Sequence, residues 1–146
     1  MMPGPEERSS GFRILEHPAD IGIEAWATTT AEAFGVAAHG LISIILDPTL
    51  IQRRTTRVVE LHATDRDQLL VKWLEEILYL YDGEGFVVRS SDVTQLTTTT
   101  LTATLTGEPF DPDRHESRLD VKAVTYHQLL ITEGGGISTV RIYLDI

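Results

Sequence analysis

The chain has no cysteine among its 146 residues. This absence excludes disulfide bonds, thiol-based catalysis and zinc sites built on thiolates. Long hydrophobic runs are missing as well, because the longest, Leu41–Leu46, is far too short to span a bilayer. Residues 1–11 also lack the apolar stretch of a signal peptide. These absences favour a cytoplasmic protein that does not interact with membranes.

Positive charge is scarce. The chain has 12 Lys and Arg residues against 22 Asp and Glu residues, which gives a formal net charge of −10. Direct nucleic-acid binding depends on clustered Lys and Arg, and here the basic residues are scattered. We therefore expect no direct binding to RNA or DNA. A cation or a basic protein surface fits the charge, although the charge also serves solubility alone.

Several catalytic sequence motifs are absent too. The chain has no phosphate-binding P-loop, no nucleophile elbow, no His-Glu-x-x-His and no dinucleotide fingerprint. Ser, His and Asp all occur, but their spacing indicates no catalytic triad. No catalytic residue is therefore predicted.

The periodicity of the chain predicts a single α+β domain, in the order β-β-α-β-α followed by a run of β-strands. Capping boxes at Thr29–Glu32 and Asp65–Gln68 open two amphipathic helices, which we expect to pack against antiparallel or mixed sheets. Residues 1–11 are predicted to be a flexible N-terminal arm, and residues 12–146 the domain. The predicted strands cover residues 12–15, 21–27, 55–63, 86–89, 96–107, 119–132 and 137–146, with Thr97–Thr100 counted as half-exposed strand.

The final strand pattern places two carboxylates side by side. Val140, Ile142, Leu144 and Ile146 alternate with polar residues, which predicts a strand buried on one face. The side chain of Asp145 then lies next to the terminal carboxylate of Ile146. Such neighbours repel each other, shift their pKa values or hold a cation.

The most polar loop, residues 107–116, superficially resembles a calcium-binding EF-hand loop. Asp111, Asp113 and His115 fall at alternate positions, but Glu116 stands where that motif needs Gly and Lys122 where it needs Glu. An EF-hand is therefore rejected, and a plain acidic surface loop is the alternative to a functional role.

Three other polar residues have open interpretations. Lys122 lies within a predicted strand, either on a solvated face or held by carboxylates. His17 and Asp20 form a possible metal pair, or they satisfy the backbone of a turn. His127, within an apolar strand, is predicted to be structural.

Four stretches, taken together and in order, resemble the archease family. They span nearly all of residues 12–146: His17–Ile23, Leu69–Leu78, Gly107 and Glu108 with Asp111 and His115, and Val121–His127 with Leu144–Ile146.

The resemblance implies a protein cofactor of the RtcB-family RNA ligase, which joins tRNA halves. Such a protein promotes guanylylation and multiple turnover of the ligase and is not itself an enzyme. The resemblance also implies a metal site that uses Asp20 and Asp145, and a functional role for Lys122. His17, Glu108, Asp111 and His115 are expected to be functional or partner-facing residues.

Asp20 and Asp145, with an oxygen from Ile146 or His17, suit a hard divalent cation, with Ca²⁺ expected and Mg²⁺ or Mn²⁺ as alternatives. Two other functions compete with the activator. One is a small metal-dependent phosphohydrolase that uses Asp20, Asp145 and His115, and the other is a chaperone-like module.

Overall fold

The computed structural model describes residues 9–16 and 20–146. The two α-helices are α1 (Thr30–Ile45) and α2 (Arg66–Glu84), and a short 3₁₀ helix covers Pro48–Leu50. The strands are β1 (Gly11–Glu16), β2 (Asp20–Ala27), β3 (Thr55–His62), β4 (Phe86–Leu96), β5 (Thr100–Pro109), β6 (Ala123–Gly134) and β7 (Ile137–Asp145).

The strands form two sheets. One has the order β1-β2-β7-β6 and the other the order β3-β5-β4, and all neighbouring strands are antiparallel. Helix α1 packs against β2 of the first sheet and β4 of the second, and α2 packs mainly against β6. The helices and the inner sheet faces enclose one apolar core. The predicted α+β class and element order are confirmed.

Both predicted helix starts are capped as expected. The Thr29 side chain accepts a hydrogen bond from the Glu32 amide, and the Asp65 side chain accepts one from the Gln68 amide. Helix α2 ends at Gly85, whose φ of 64° is a left-handed conformation that suits glycine. Asp65 and Gly85 thus cap both ends of α2, the helix that carries Trp73, the largest fully buried side chain.

Several strand limits differ from the prediction. Strand β4 continues past residue 89 to Leu96, because its polar middle pairs with the threonines of β5. Residues 97–99 form the β4–β5 turn and are not half-exposed strand, since the Thr97 hydroxyl accepts hydrogen bonds from the amides of Thr99 and Thr100. The predicted strand over 119–132 begins only at Ala123.

The β6–β7 hairpin turns at Gly135 and Gly136, with φ values of 63° and 79°. Positive φ angles at two successive residues are typical of the tight turn that joins two twisted strands, so the predicted glycine turn is confirmed. Of the predicted N-terminal arm, residues 1–8 lie outside the described residues and Gly11 is the first residue of β1. No helix in residues 9–16 and 20–146 combines the length and apolar character needed to cross a bilayer.

Candidate functional site

Two aspartates meet at one edge of the four-stranded sheet. Asp20, the first residue of β2, lies directly opposite Asp145, the last residue of β7. Side chains directly opposite on antiparallel strands have Cβ atoms about 4.5–5.5 Å apart. Asp20 is half-buried and Asp145 is exposed. The register therefore holds two carboxylates side by side at this edge, with one oxygen of Asp20 buried.

Lys122 adjoins the same edge. Its backbone N–H donates a 2.8 Å hydrogen bond to the carbonyl oxygen of Asp145, and Ala123 lies opposite Asp145 on β6. Lys122 precedes β6, and its side chain is exposed. It lines a shallow cleft of about 260 Å³ together with Glu75 and Asp82 of α2. The Lys122 side chain is thus at the surface, in a cleft that two carboxylate residues of α2 also line.

An aromatic ring supports the strand that carries Asp145. Tyr143 lies over Gly22, and a Cβ atom at Gly22 would lie 2.8 Å from the Tyr143 ring. The ring of His127 contacts Tyr143 edge-on, with the ring centroids 5.8 Å apart. Glycine at position 22 is therefore required for the ring to lie against β2, and His127 has a packing contact consistent with the structural role predicted for it.

Strand β6 bulges beside this ring. Thr125 pairs with Tyr143 but Leu130 pairs with Arg141, so the four residues 126–129 of β6 face the single residue 142 of β7 and three residues are extra on the β6 side. Within the bulge Gln128 has a φ of 50°, and its carbonyl oxygen accepts a 3.1 Å hydrogen bond from Arg141 Nε. Bulges reshape a sheet edge locally. Within the bulge the Tyr126 side chain is exposed.

A buried carboxylate anchors the loop that leads to Lys122. Glu108, at the end of β5, is fully buried. Its Oε2 accepts hydrogen bonds from Arg114 Nη1 (2.7 Å) and the Gln52 amide (2.7 Å), and its Oε1 accepts one from Arg114 Nη2 (2.8 Å). The hydrogen bonds from Arg114, opposed in part by burial, lower the pKa of Glu108 far below its ordinary value. Glu108 is therefore ionised at neutral pH.

The hydrogen bonds of His115 fix its tautomer. Its Nδ1 accepts a 2.8 Å hydrogen bond from the Asp111 amide, so that nitrogen carries no proton. Its Nε2 lies 2.7 Å from Glu108 Oε2, and it therefore donates to that carboxylate. His115 is thus a neutral, buried donor to Glu108, with no free ring nitrogen for a metal.

The loop is joined to the rest of the domain at further points. Arg118 donates its backbone N–H to the Ile45 carbonyl at 2.7 Å, and Ser117 forms an isolated bridge with Leu46. Glu108 and these contacts together hold residues 110–121 against the end of α1. The position of Lys122 is therefore set from both sides, by this loop and by its bond to Asp145.

The structure separates the predicted site residues into two groups. The strand register brings Asp20 and Asp145 together, with Ile146 next in the chain and the backbone of Lys122 bonded to Asp145. Glu108 and His115 are both buried, and they bond to each other and to Arg114 within the loop. Asp111 is half-buried at the surface, and His17 lies outside the described residues. Arg114 was not among the predicted site residues, although a glutamate at the end of a buried strand requires such a partner.

The donor set at the aspartate edge suits a hard cation in part. Carboxylate oxygens are the preferred ligands of Ca²⁺, Mg²⁺ and Mn²⁺. Within the described residues, however, no three His, Asp or Glu side chains are grouped as a metal site. Asp20 and Asp145 therefore offer part of a coordination shell, and a cation bound there would need further oxygen ligands.

A model of the archease protein family matches residues 12–146. The chain belongs to the archease family. It is 35% identical over 136 residues to protein archease of Sulfolobus acidocaldarius, which covers 92% of this chain and 98% of that protein. It is 39% identical over 119 residues to protein archease of Thermococcus gammatolerans, covering 80% and 84%. The resemblance drawn from the four motifs is confirmed.

Solved structures show the same fold. The solution structure of protein 1598 from Methanobacterium thermoautotrophicum matches with a TM-score of 0.79 and 31% identity, covering 93% of this chain and 99% of that one. The crystal structure of an archease from Thermotoga maritima, described as a possible chaperone, matches with a TM-score of 0.58 and 17% identity. The second match supports the fold alone.

Proposed function

We propose that this chain is an activator of an RtcB-family RNA ligase and promotes guanylylation and multiple turnover of that enzyme in tRNA splicing and RNA repair. Membership of the archease family supports the partner class. The observation that carries the proposal is the register of β2 and β7, which pairs Asp20 with Asp145 beside Lys122. In this proposal the chain catalyses no reaction itself.

The aspartate edge is the proposed metal site. Asp20 and Asp145 would each supply a carboxylate oxygen, and Ile146 a further oxygen, to a divalent cation, with Ca²⁺ preferred. A bound cation would offset the repulsion between the two carboxylates and would leave coordination positions for water or for an oxygen of the ligase. Two carboxylates on paired strands are a rigid support for this role.

Lys122 is the proposed contact for an anionic group of the ligase or its nucleotide. Its ammonium group is exposed and flexible, while its backbone is fixed by the bond to Asp145. Lysine in such a position acts as a compact, mobile point charge. Lys122 and the aspartates would therefore meet the same partner surface from one edge of the sheet.

The test is multiple-turnover ligation by the ligase from the same source, with and without this protein. Asp20→Asn and Asp145→Asn should each abolish most of the stimulation and leave the thermal midpoint within a few degrees of the wild type. Glu60→Gln is the matched control, because it removes one exposed carboxylate from β3 of the other sheet. Stimulation that persists in both aspartate variants would refute the role of the edge.

Metal binding is tested separately by calorimetric titration of the purified chain with Ca²⁺, Mg²⁺ and Mn²⁺. We expect heat of binding for the wild type and for Glu60→Gln, and none for either aspartate variant. Turnover of a phosphate ester by the purified chain alone would instead favour a phosphohydrolase. That alternative loses one of its proposed residues here, because His115 is buried against Glu108.

A further inference from the structure

A cleft of about 540 Å³ lies between α1, β4 and the start of β1. Its volume is within the usual range for small-molecule sites, about 300–1,000 Å³. Gly11, which lines it, pairs with Trp26 near the end of β2, whereas Asp20 is the first residue of that strand. The cleft is therefore at the opposite end of the strand from the aspartate edge and is distinct from the proposed metal site.

Two arginines line the cleft without a carboxylate partner. Among the described residues, Arg53 and Arg89 form no ion pair, and Arg53 Nε lies 3.4 Å from the hydroxyl of Ser90. Other arginines are paired with carboxylates: Arg13, Arg54, Arg57, Arg66, Arg114 and Arg118. The carboxylates of Glu32 and Asp92 line the same cleft and balance the two guanidinium groups in formal charge, but among the described residues neither carboxylate forms an ion pair with them, so guanidinium N–H groups remain available to an anionic ligand.

A β-bulge is centred on Arg89. Val88 pairs with Gly107 and Ser90 pairs with the adjacent Thr106, so Arg89 is the extra residue on β4. An extra residue of this kind redirects its side chain and is common beside binding sites. The bulge separates Arg89 from the regular alternation of the strand, and Arg89 lines the cleft together with Arg53 and His39.

The positive charge of Arg89 affects His39, which lines the same cleft. Partial burial, followed by the positive charge of Arg89, lowers the pKa of His39. Its ring also contacts Phe12 of β1 edge-on, with centroids 5.8 Å apart. His39 therefore lies between the cationic and the apolar parts of the cleft, where its NMR signals would report on a ligand.

Gly35, within α1, keeps the cleft open. A Cβ atom at Gly35 would have no neighbour closer than Ser91 Oγ at 3.6 Å, which is an ordinary contact. Gly40 of the same helix differs, because its Cβ would lie 3.1 Å from Ile23. Glycine inside a helix costs about 1 kcal/mol relative to alanine. Close packing thus explains why position 40 is glycine, but it does not explain the glycine at position 35.

From this geometry we propose that the cleft binds a small organic phosphate monoester. Arg53, Arg89 and the hydroxyl of Ser90 supply donors for the phosphate oxygens, and guanidinium groups suit phosphate in charge and geometry. Apolar lining from Phe12, Val36, Ile42 and Val88 suits the body of the ester. Glu32 and Asp92 also line the cleft, and their negative charge disfavours a polyanion such as an RNA strand.

The experiment is titration of the full chain with phenyl phosphate, followed by calorimetry and by the NMR signals of His39. Binding should be saturable and should shift the His39 signals. Arg53→Gln and Arg89→Gln should each weaken the affinity about tenfold or more, since each removes a charge-assisted hydrogen bond. Arg66→Gln, which removes the same charge from a surface ion pair, should leave the affinity unchanged.

Gly35→Ala provides a variant that cannot fail by unfolding. The added methyl group narrows the cleft and should weaken phenyl phosphate binding, while the better helix former raises the thermal midpoint by roughly 2–4 °C. Phenol, benzoate and inorganic phosphate should all bind more weakly than phenyl phosphate. Phenol lacks the phosphate group, benzoate has a carboxylate in its place, and inorganic phosphate lacks the apolar body.

The proposal would be overturned by an absence of phenyl phosphate binding, by equal binding of benzoate, or by arginine variants that bind as well as the wild type. None of these readouts involves the ligase, so the result is independent of the proposed activator role.

Discussion

Replacing Glu108 with glutamine should strongly destabilise the domain. Both oxygens of the buried carboxylate face donors: Arg114, His115 and the Gln52 amide. The NH₂ group of a glutamine would therefore face another donor whichever way it points. The change also removes the charge that offsets Arg114. We expect Glu108→Gln to disturb the whole network while preserving side-chain size.

The magnitude follows from the burial of the two partners. Removing one member of a buried ion pair costs about 3–5 kcal/mol. Arg114 retains 35% of its side-chain exposure, so water can partly solvate it and the lower end, about 3 kcal/mol, applies. For a domain of this size that is a fall of roughly 6–12 °C in thermal midpoint. It is also a fall of roughly 1.5 M in the urea midpoint.

The assay is urea unfolding monitored by tryptophan fluorescence, with Glu60→Gln as the control on an exposed carboxylate. The control should stay within about 0.5 kcal/mol of the wild type. If Glu108→Gln also lost less than about 0.5 kcal/mol, the network would contribute nothing and the reasoning from its burial would be refuted.

Acid provides a second measurement on the same residue. The pKa of Glu108 is lowered in the folded state, so its stabilisation is fully present above the unfolded-state pKa of about 4.3. Below that pH the unfolded chain takes up a proton that the folded chain does not. The stability difference between wild type and Glu108→Gln should shrink by about 1.4 kcal/mol per pH unit. A difference that stayed constant down to pH 3 would contradict this assignment.

Two glycine substitutions test other contacts, both measured by urea unfolding. Gly22→Ala places a methyl group 2.8 Å from the Tyr143 ring, so we expect a loss of about 1–3 kcal/mol and reduced ligase stimulation as β2 and β7 shift. Gly85→Ala puts a side chain on a φ of 64° with open space around it, so only backbone strain of about 1–2 kcal/mol should appear, with stimulation retained. Equal effects of the two substitutions on stimulation would contradict the local role of Tyr143.

Much of the fold is predictable because its signals are local. Thr29 and Asp65 cap their helices by bonds to residues three positions on, and the glycine pair at 135–136 forms a two-residue turn. The limits of β4 and β6 were predicted less well, because each depends on a partner distant in sequence. The polar middle of β4 is strand only because the threonines of β5 lie beside it.

The candidate site likewise has a part that local sequence predicts and a part that depends on residues distant in sequence. The alternation in β7 predicts a buried strand that places Asp145 at its end, but only the register with β2 pairs it with Asp20. The sequence around Glu108 and His115 indicates a polar surface loop, because spacing along the chain does not show that Gln52 and Arg114 bond to the Glu108 carboxylate. The cleft at Arg89 was missed altogether, since an arginine placed by a bulge leaves no periodic signal.

The pairing of Asp20 with Asp145 links the proposed site to the completion of folding. The two residues come from opposite ends of the described chain, so the edge does not exist until β7 has inserted between β2 and β6. Such a long-range pairing forms against a large loop-closure entropy and is slow. Any ligand that binds across the edge recognises the closed sheet alone, and by mass action it stabilises that closed state over partly folded chains. An incompletely folded chain would therefore present neither the paired carboxylates nor the adjoining lysine to a partner, and the aspartate edge would act as a built-in check on folding.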